Sequence, residues 1–76
     1  MSKQVFQEIW QVLPTNSKRA LLRRFTKAKG RHYFRPRREL FRLVAKETGR
    51  SEEEAARILY QMRWDIEAGR WKPEGL

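Results

Sequence analysis

Eleven of the chain's eighteen lysine and arginine residues fall between Lys18 and Arg42: Lys18, Arg19, Arg23, Arg24, Lys27, Lys29, Arg31, Arg35, Arg37, Arg38 and Arg42. Glu39 is the single acid in that stretch, so the segment carries a net charge of +10. The remaining residues hold seven basic and eight acidic side chains, a net of −1. The overall charge of +9 therefore belongs to one segment. The chemistry such a segment offers is anion binding. Eight of its eleven cations are arginines, whose planar guanidinium donates two parallel hydrogen bonds to a phosphate. A polyanionic partner would also relieve the self-repulsion of so much like charge. The alternative is a solvated charged face, which ordinarily mixes acids with bases; here acids are nearly absent.

Aromatic side chains and the only histidine interleave with these cations. His32, Tyr33 and Phe34 lie between Arg31 and Arg35. Rings beside arginines can stack on unpaired bases, or they can plug the core beneath a loop, and the latter suits Phe34. The candidate nucleic-acid contacts are thus Arg19, Arg23, Arg24, Lys27, Lys29, Arg31, His32, Tyr33, Arg35, Arg37 and Arg38. A second candidate surface lies further along. Arg57, Tyr60 and Trp64 share one side of a predicted helix, and Arg63-Trp64 and Arg70-Trp71 repeat seven residues apart. Arg57, Tyr60, Trp64 and Trp71 are candidate contacts for a protein partner, unless the rings pack against the first helix, where Trp10 needs a neighbour.

Catalytic chemistry finds no support. There is no Ser-His-Asp or Cys-His set, no glycine-rich phosphate loop and no second histidine for zinc. Glu52, Glu53 and Glu54 are adjacent and would fan around a helix rather than converge on a metal. No cofactor or metal is expected, and the protein reads as non-catalytic.

Seventy-six residues predict one domain, 1–76. A chain of this size buries about 60–65% of its unfolded surface, enough for a small core. The sequence has no cysteine, so no disulfide or thiolate-bound metal supports that core, and a reducing cytoplasmic compartment is expected. No stretch approaches the roughly 20 apolar residues of a membrane span, and no charged-then-apolar signal pattern opens the chain.

Four helices must position the basic segment. Val5, Phe6, Ile9, Trp10, Val12 and Leu13 recur at helical spacing and predict a helix over about 2–13, stopped by Pro14. Leu21, Leu22, Phe25 and Ala28 predict a second over 17–29, preceded by the capping candidates Thr15, Asn16 and Ser17. On it, Arg19, Arg23 and Lys27 form a ridge at i, i+4, i+8. Arg35 precedes a proline and should be extended. Pro36 suits the first position of a third helix, 36–48, with Leu40, Phe41, Leu43 and Val44 inward and Gly49 at its end. Ser51 and Glu54 make a capping box for a fourth, 51–68, striped by Ala55, Ile58, Leu59, Met62 and Ile66 and closed by Gly69. The tail, 70–76, is expected to be flexible.

The fold class predicted is all-α, a compact bundle of four short helices. Its core would draw on Phe6, Ile9, Leu13, Leu21, Phe25, Leu40, Val44, Ile58, Leu59 and Met62. Residues 41–60 resemble a helix-turn-helix unit. Ala45 lies four before Gly49, Ser51 opens the next helix, and Ala55 and Ile58 fall at inward spacings. The resemblance implies DNA reading by the N-terminal residues of the second helix. Arg50 departs from the motif, which usually buries an aliphatic residue there. Glu52, Glu53 and Glu54 depart again, since three carboxylates would meet phosphate repulsion and fit better as complements to the helix dipole. Binding through the 18–42 segment, with duplex DNA somewhat favoured over RNA, is the leading expectation. An adaptor that docks an acidic or aromatic-binding protein partner is the alternative.

Overall fold

The computed structural model describes residues 3–22 and 36–73. Among them are four helices, α1 (Lys3–Val12), α2 (Thr15–Leu22), α3 (Arg38–Thr48) and α4 (Glu52–Glu67), and no strand. The all-α bundle predicted from apolar periodicity is the architecture found. α4 is its hub, packing against α3, α2 and α1.

Each boundary has a local cause. α1 tightens at its end, where Leu13 N–H donates to Trp10 O at 3.2 Å, and Pro14 then ends it. The Pro14 carbonyl accepts from Lys18 N–H at 3.0 Å. The next helix therefore starts at Thr15, two residues earlier than predicted, and Thr15, Asn16 and Ser17 belong to its first turn instead of a loop. Residues 23–29 of that prediction lie outside the described residues. α3 starts later than predicted, at Arg38. Arg37 is its N-cap, extended at φ −83° and ψ 160°, so Pro36 sits before the helix and not at its first position. Gly49 takes the left-handed conformation at φ 69°, and the N–H groups of Gly49 and Arg50 both reach back to Ala45 O. Such paired back-bonds satisfy carbonyls that a helix end leaves open. Ser51 Oγ then accepts from Glu54 N–H at 3.1 Å and caps α4. Gly69, at φ 74°, repeats the device after α4, where Arg70 N–H donates to Asp65 O at 2.8 Å.

The core is one cluster. Phe6, Ile9, Trp10 and Leu13 meet Leu21, Val44, Ala55, Ile58, Leu59 and Met62. Of the core residues expected, Leu40 is half-buried at its margin and Phe25 lies outside the described residues. Trp10 and Trp71 were not on that list, and both are buried. The Trp71 ring meets Phe6 edge-on at 5.4 Å and Trp10 at 6.1 Å between centroids. Edge-to-face pairs of this kind add about 0.5–1.5 kcal/mol each beyond area burial. Within the stretch expected to be flexible from residue 70, Trp71 is held in the core, and residues 74–76 lie outside the described residues.

Among the described residues, two polar ties that span 42 residues brace the bundle. Arg50, the residue that departs from the helix-turn-helix pattern, reaches across to α1. Its Nη1 donates to Glu8 Oε1 at 2.8 Å. Arg63 is 5% exposed and binds the end of α2, donating from Nη1 to Leu21 O at 2.6 Å. Its Nη2 pairs with Glu67 at 2.7 Å, one turn along α4. A buried guanidinium is tolerated when carbonyls and a carboxylate satisfy it.

Candidate nucleic-acid interface

The described part of the basic segment divides between α2 and α3. Arg19 is exposed on α2. Lys18 beside it is half-buried, with Nζ 5.7 Å above the centre of the Trp10 ring, a cation–π contact that pins the start of α2 to α1. Arg37, Arg38 and Arg42 are exposed around the N-terminal half of α3. Arg23, Arg24, Lys27, Lys29, Arg31, His32, Tyr33 and Arg35 lie outside the described residues.

Glu52 sits between two of these cations. Its Oε1 is 4.0 Å from Arg38 Nε and its Oε2 is 3.9 Å from Arg42 Nε. Both distances are long for a hydrogen bond, and both arginine side chains are well exposed. Pairs of this kind are worth about 0–1 kcal/mol and are readily exchanged for another anion. One carboxylate shared between two guanidinium groups leaves that trio with a net positive charge. The fold thereby places the acidic first turn of α4, Glu52, Glu53 and Glu54, beside the cations of α3. An anion approaching the N-terminus of α4 meets carboxylates. An anion approaching the start of α3 meets three arginines, Arg37, Arg38 and Arg42, against one acid of that helix turn, Glu39.

The second candidate surface divides as well. Arg57, Tyr60 and Trp64 are exposed on α4, Tyr60 at 41% and Trp64 at 59%. Phe41 of α3 lies beside Tyr60, with ring centroids 6.4 Å apart. Trp71, grouped with them by its Arg-Trp context, is 8% exposed and serves the core, so it is not part of that surface.

Arg63 and the Arg50–Glu8 tie were missed from sequence. Arg63 falls four residues before Glu67 and one after Met62 on the apolar stripe, a position that a helical projection places inward. The 42-residue separation of Glu8 and Arg50 leaves no local signal. The same tie sets the protonation of Glu8. The Arg50 hydrogen bond holds the Glu8 carboxyl below its ordinary range.

Among the described residues no helix is long and apolar enough to cross a membrane. No family model, curated protein or solved structure matches this chain. The class its fold defines is that of small all-α bundles, and its function rests on its own surface.

Proposed function

We propose that this protein is a small, non-catalytic nucleic-acid-binding module of the cytoplasm that holds phosphates through its 18–42 segment. The observation that carries the reading is charge segregation: +10 within 25 residues against −1 elsewhere. The exposure of Arg19, Arg37, Arg38 and Arg42 supports it. So does the long, exchangeable pairing of Arg38 and Arg42 with Glu52. Duplex DNA is the favoured target, RNA the next. The mode that suits the charges is phosphate positioning from α2 and α3, with Arg23, Arg24, Lys27, Lys29, Arg31 and Arg35 as further donors and His32 or Tyr33 touching bases. Base reading by the first turn of α4 does not suit them, because Glu52, Glu53 and Glu54 would face phosphates. Contacts to phosphate fix register without reading sequence.

The test is a titration against random duplex DNA, single-stranded DNA and structured RNA at several salt concentrations. Binding at micromolar affinity or better is expected, with log affinity falling by about 0.9 per neutralised phosphate for each unit of log salt on duplex DNA. Charge reversal of Arg23, Arg24 and Lys27 with an unchanged circular dichroism spectrum should abolish it. Retained binding in that variant, or no binding near physiological salt, defeats the reading.

The exposed Trp64 and Tyr60 favour a second reading, an adaptor whose α4 face docks a protein partner while the arginines attract its acidic surface. It gains if nucleic acids fail to bind and Trp64→Ala abolishes recovery of a defined partner in a pull-down.

A further inference from the structure

Outside the 18–42 segment the charge of the chain is nearly balanced, but the fold does not distribute it evenly. A pocket of ≈ 380 Å³ lies between α1 and the residues that follow α4. Its lining is Lys3, Gln4, Gln7, Arg70, Trp71 and Lys72. Three cations, two amides and an indole line it, and no carboxylate does. These residues come from opposite ends of the sequence and meet because Trp71 packs onto Phe6 and Trp10 of α1. That packing carries Arg70 and Lys72, its two neighbours in the chain, to the N-terminal half of α1.

We infer that this pocket is a phosphate-binding site. It rests on the nucleic-acid reading in one respect, that the phosphate belongs to the polyanion held by the basic segment. The pocket's own chemistry holds without it. Lys3 and Lys72 are exposed point charges of the kind that bind phosphate without fixed geometry. Arg70 is the oriented member. Its Nε and Nη2 both donate to Asp65 Oδ1, at 3.0 and 2.8 Å, and Gln61 Nε2 donates to the same oxygen at 3.0 Å. Asp65 is not part of the lining; its carboxylate fixes the guanidinium and offsets one of three positive charges. Gln7 adds an amide donor to the lining. An anion with several acceptor oxygens matches this set better than a single carboxylate. The volume falls in the range of about 300–1,000 Å³ usual for ligand clefts and leaves room for the group the phosphate is attached to. Lys3 also stands in the first turn of α1, which holds no acid. A cation at that end opposes the helix dipole, and a bound anion would relieve the conflict.

The pocket and the start of the basic segment are linked through the core rings. Lys18, the first residue of that segment, lies 5.7 Å over Trp10, and Trp10 lies 6.1 Å from Trp71. A polyanion long enough to span α1 could meet both Lys18 and the Lys3, Arg70 and Lys72 cations.

The test uses the full chain and begins with inorganic phosphate, titrated at constant ionic strength and followed by nuclear magnetic resonance. The Trp71 indole N–H and the Gln7 side-chain amide should shift and saturate, while the Trp64 indole stays in place. In the double variant Lys3→Gln, Lys72→Gln, which changes exposed side chains and leaves the core intact, the apparent affinity should weaken about tenfold. No saturable shift at Trp71, or an equal response in the double variant, overturns the site. The second arm repeats the salt titration with a DNA duplex. A slope reduced by about 1 in the double variant assigns the phosphate to the nucleic-acid backbone. An unchanged slope, where inorganic phosphate binds the wild-type chain and binds the double variant more weakly, assigns the pocket to small phosphorylated molecules. Should the wild-type chain bind no nucleic acid and still show the phosphate response, the nucleic-acid reading fails and the pocket stands.

Discussion

The dipeptide Arg-Trp occurs twice near the end of this chain, and the fold treats the two copies in opposite ways. In Arg63-Trp64 the arginine is 5% exposed and the tryptophan 59%. In Arg70-Trp71 the arginine side chain is 59% exposed and the tryptophan 8%. Neighbouring helical residues point about 100° apart, so one member of the first pair must face outward. What waits inside decides which. Arg63 faces the open carbonyl of Leu21 and the Glu67 carboxylate, which an indole could not satisfy together. The second pair follows Gly69, whose left-handed turn takes the chain off the helix and back over α1. There Trp71 finds Phe6 and Trp10, and Arg70 finds Asp65 at the surface. The same two residues thus supply a core ring and a surface cation in one place, and a buried strut and a surface ring in the other.

The contrast can be broken most sharply at the tryptophans. Trp71→Ala should destabilise by about 3–5 kcal/mol, as expected for emptying a buried aromatic site. Trp64→Ala should change stability by less than about 0.5 kcal/mol, as for surface substitutions. Urea denaturation of both variants compares them, and equal losses would remove the distinction. The arginines should invert the order. Arg63→Met keeps the apolar stem but leaves the Leu21 carbonyl and Glu67 without their donor, a loss of about 1–3 kcal/mol. Arg70→Met should cost far less, because water replaces the guanidinium. Thermal midpoints of the pair decide this.

Gly69→Ala probes the turn that separates the two copies. An added Cβ meets nothing within 4 Å, so its cost is conformational, about 1–2 kcal/mol for an alanine held at φ 74°. Rescue of stability by Gly69→Asn relative to alanine would confirm backbone strain as the cause, since asparagine tolerates this region better.

The smallest effect is on titration. The Arg70 hydrogen bond, with help from Gln61, holds Asp65 below the ordinary carboxylate range. A depressed folded-state value stabilises above the unfolded value, and that contribution is lost as pH falls through the folded one. Glu8 behaves likewise through Arg50. Arg70→Gln should therefore raise the Asp65 midpoint in a carboxyl nuclear magnetic resonance titration and leave Glu8 in place. Arg50→Gln should do the reverse. A midpoint for either carboxyl that ignores its own arginine would show that the pairing does not persist in solution.

Much of the bundle was legible in the chain. Pro14, Gly49, Gly69 and the Ser51–Glu54 box end or start helices through bonds spanning three to five residues, and such bonds can be read from spacing. The inward stripes of α1 and α4 follow from the same periodicity. Even so, Thr15, Asn16 and Ser17 were misplaced, because the first turn of α2 hangs on a carbonyl of Pro14 and not on a side-chain cap. The candidate site was legible as a quantity of charge and less so as a place. That Glu52 would stand between Arg38 and Arg42 needed the crossing of α3 and α4.

By itself the sequence determined the helical type of the described elements, the glycines that end α3 and α4 and the concentration of positive charge in one segment. These are properties of composition and of contacts a few residues long. Tertiary structure alone decided which tryptophan enters the core, which arginine becomes a strut, and that Lys3 shares a pocket with Arg70 and Lys72. Those outcomes depend on partners 42 to 69 residues away in the chain. A side chain's own identity fixes what it can satisfy, and only the packed fold supplies the unsatisfied group or open apolar surface that it meets.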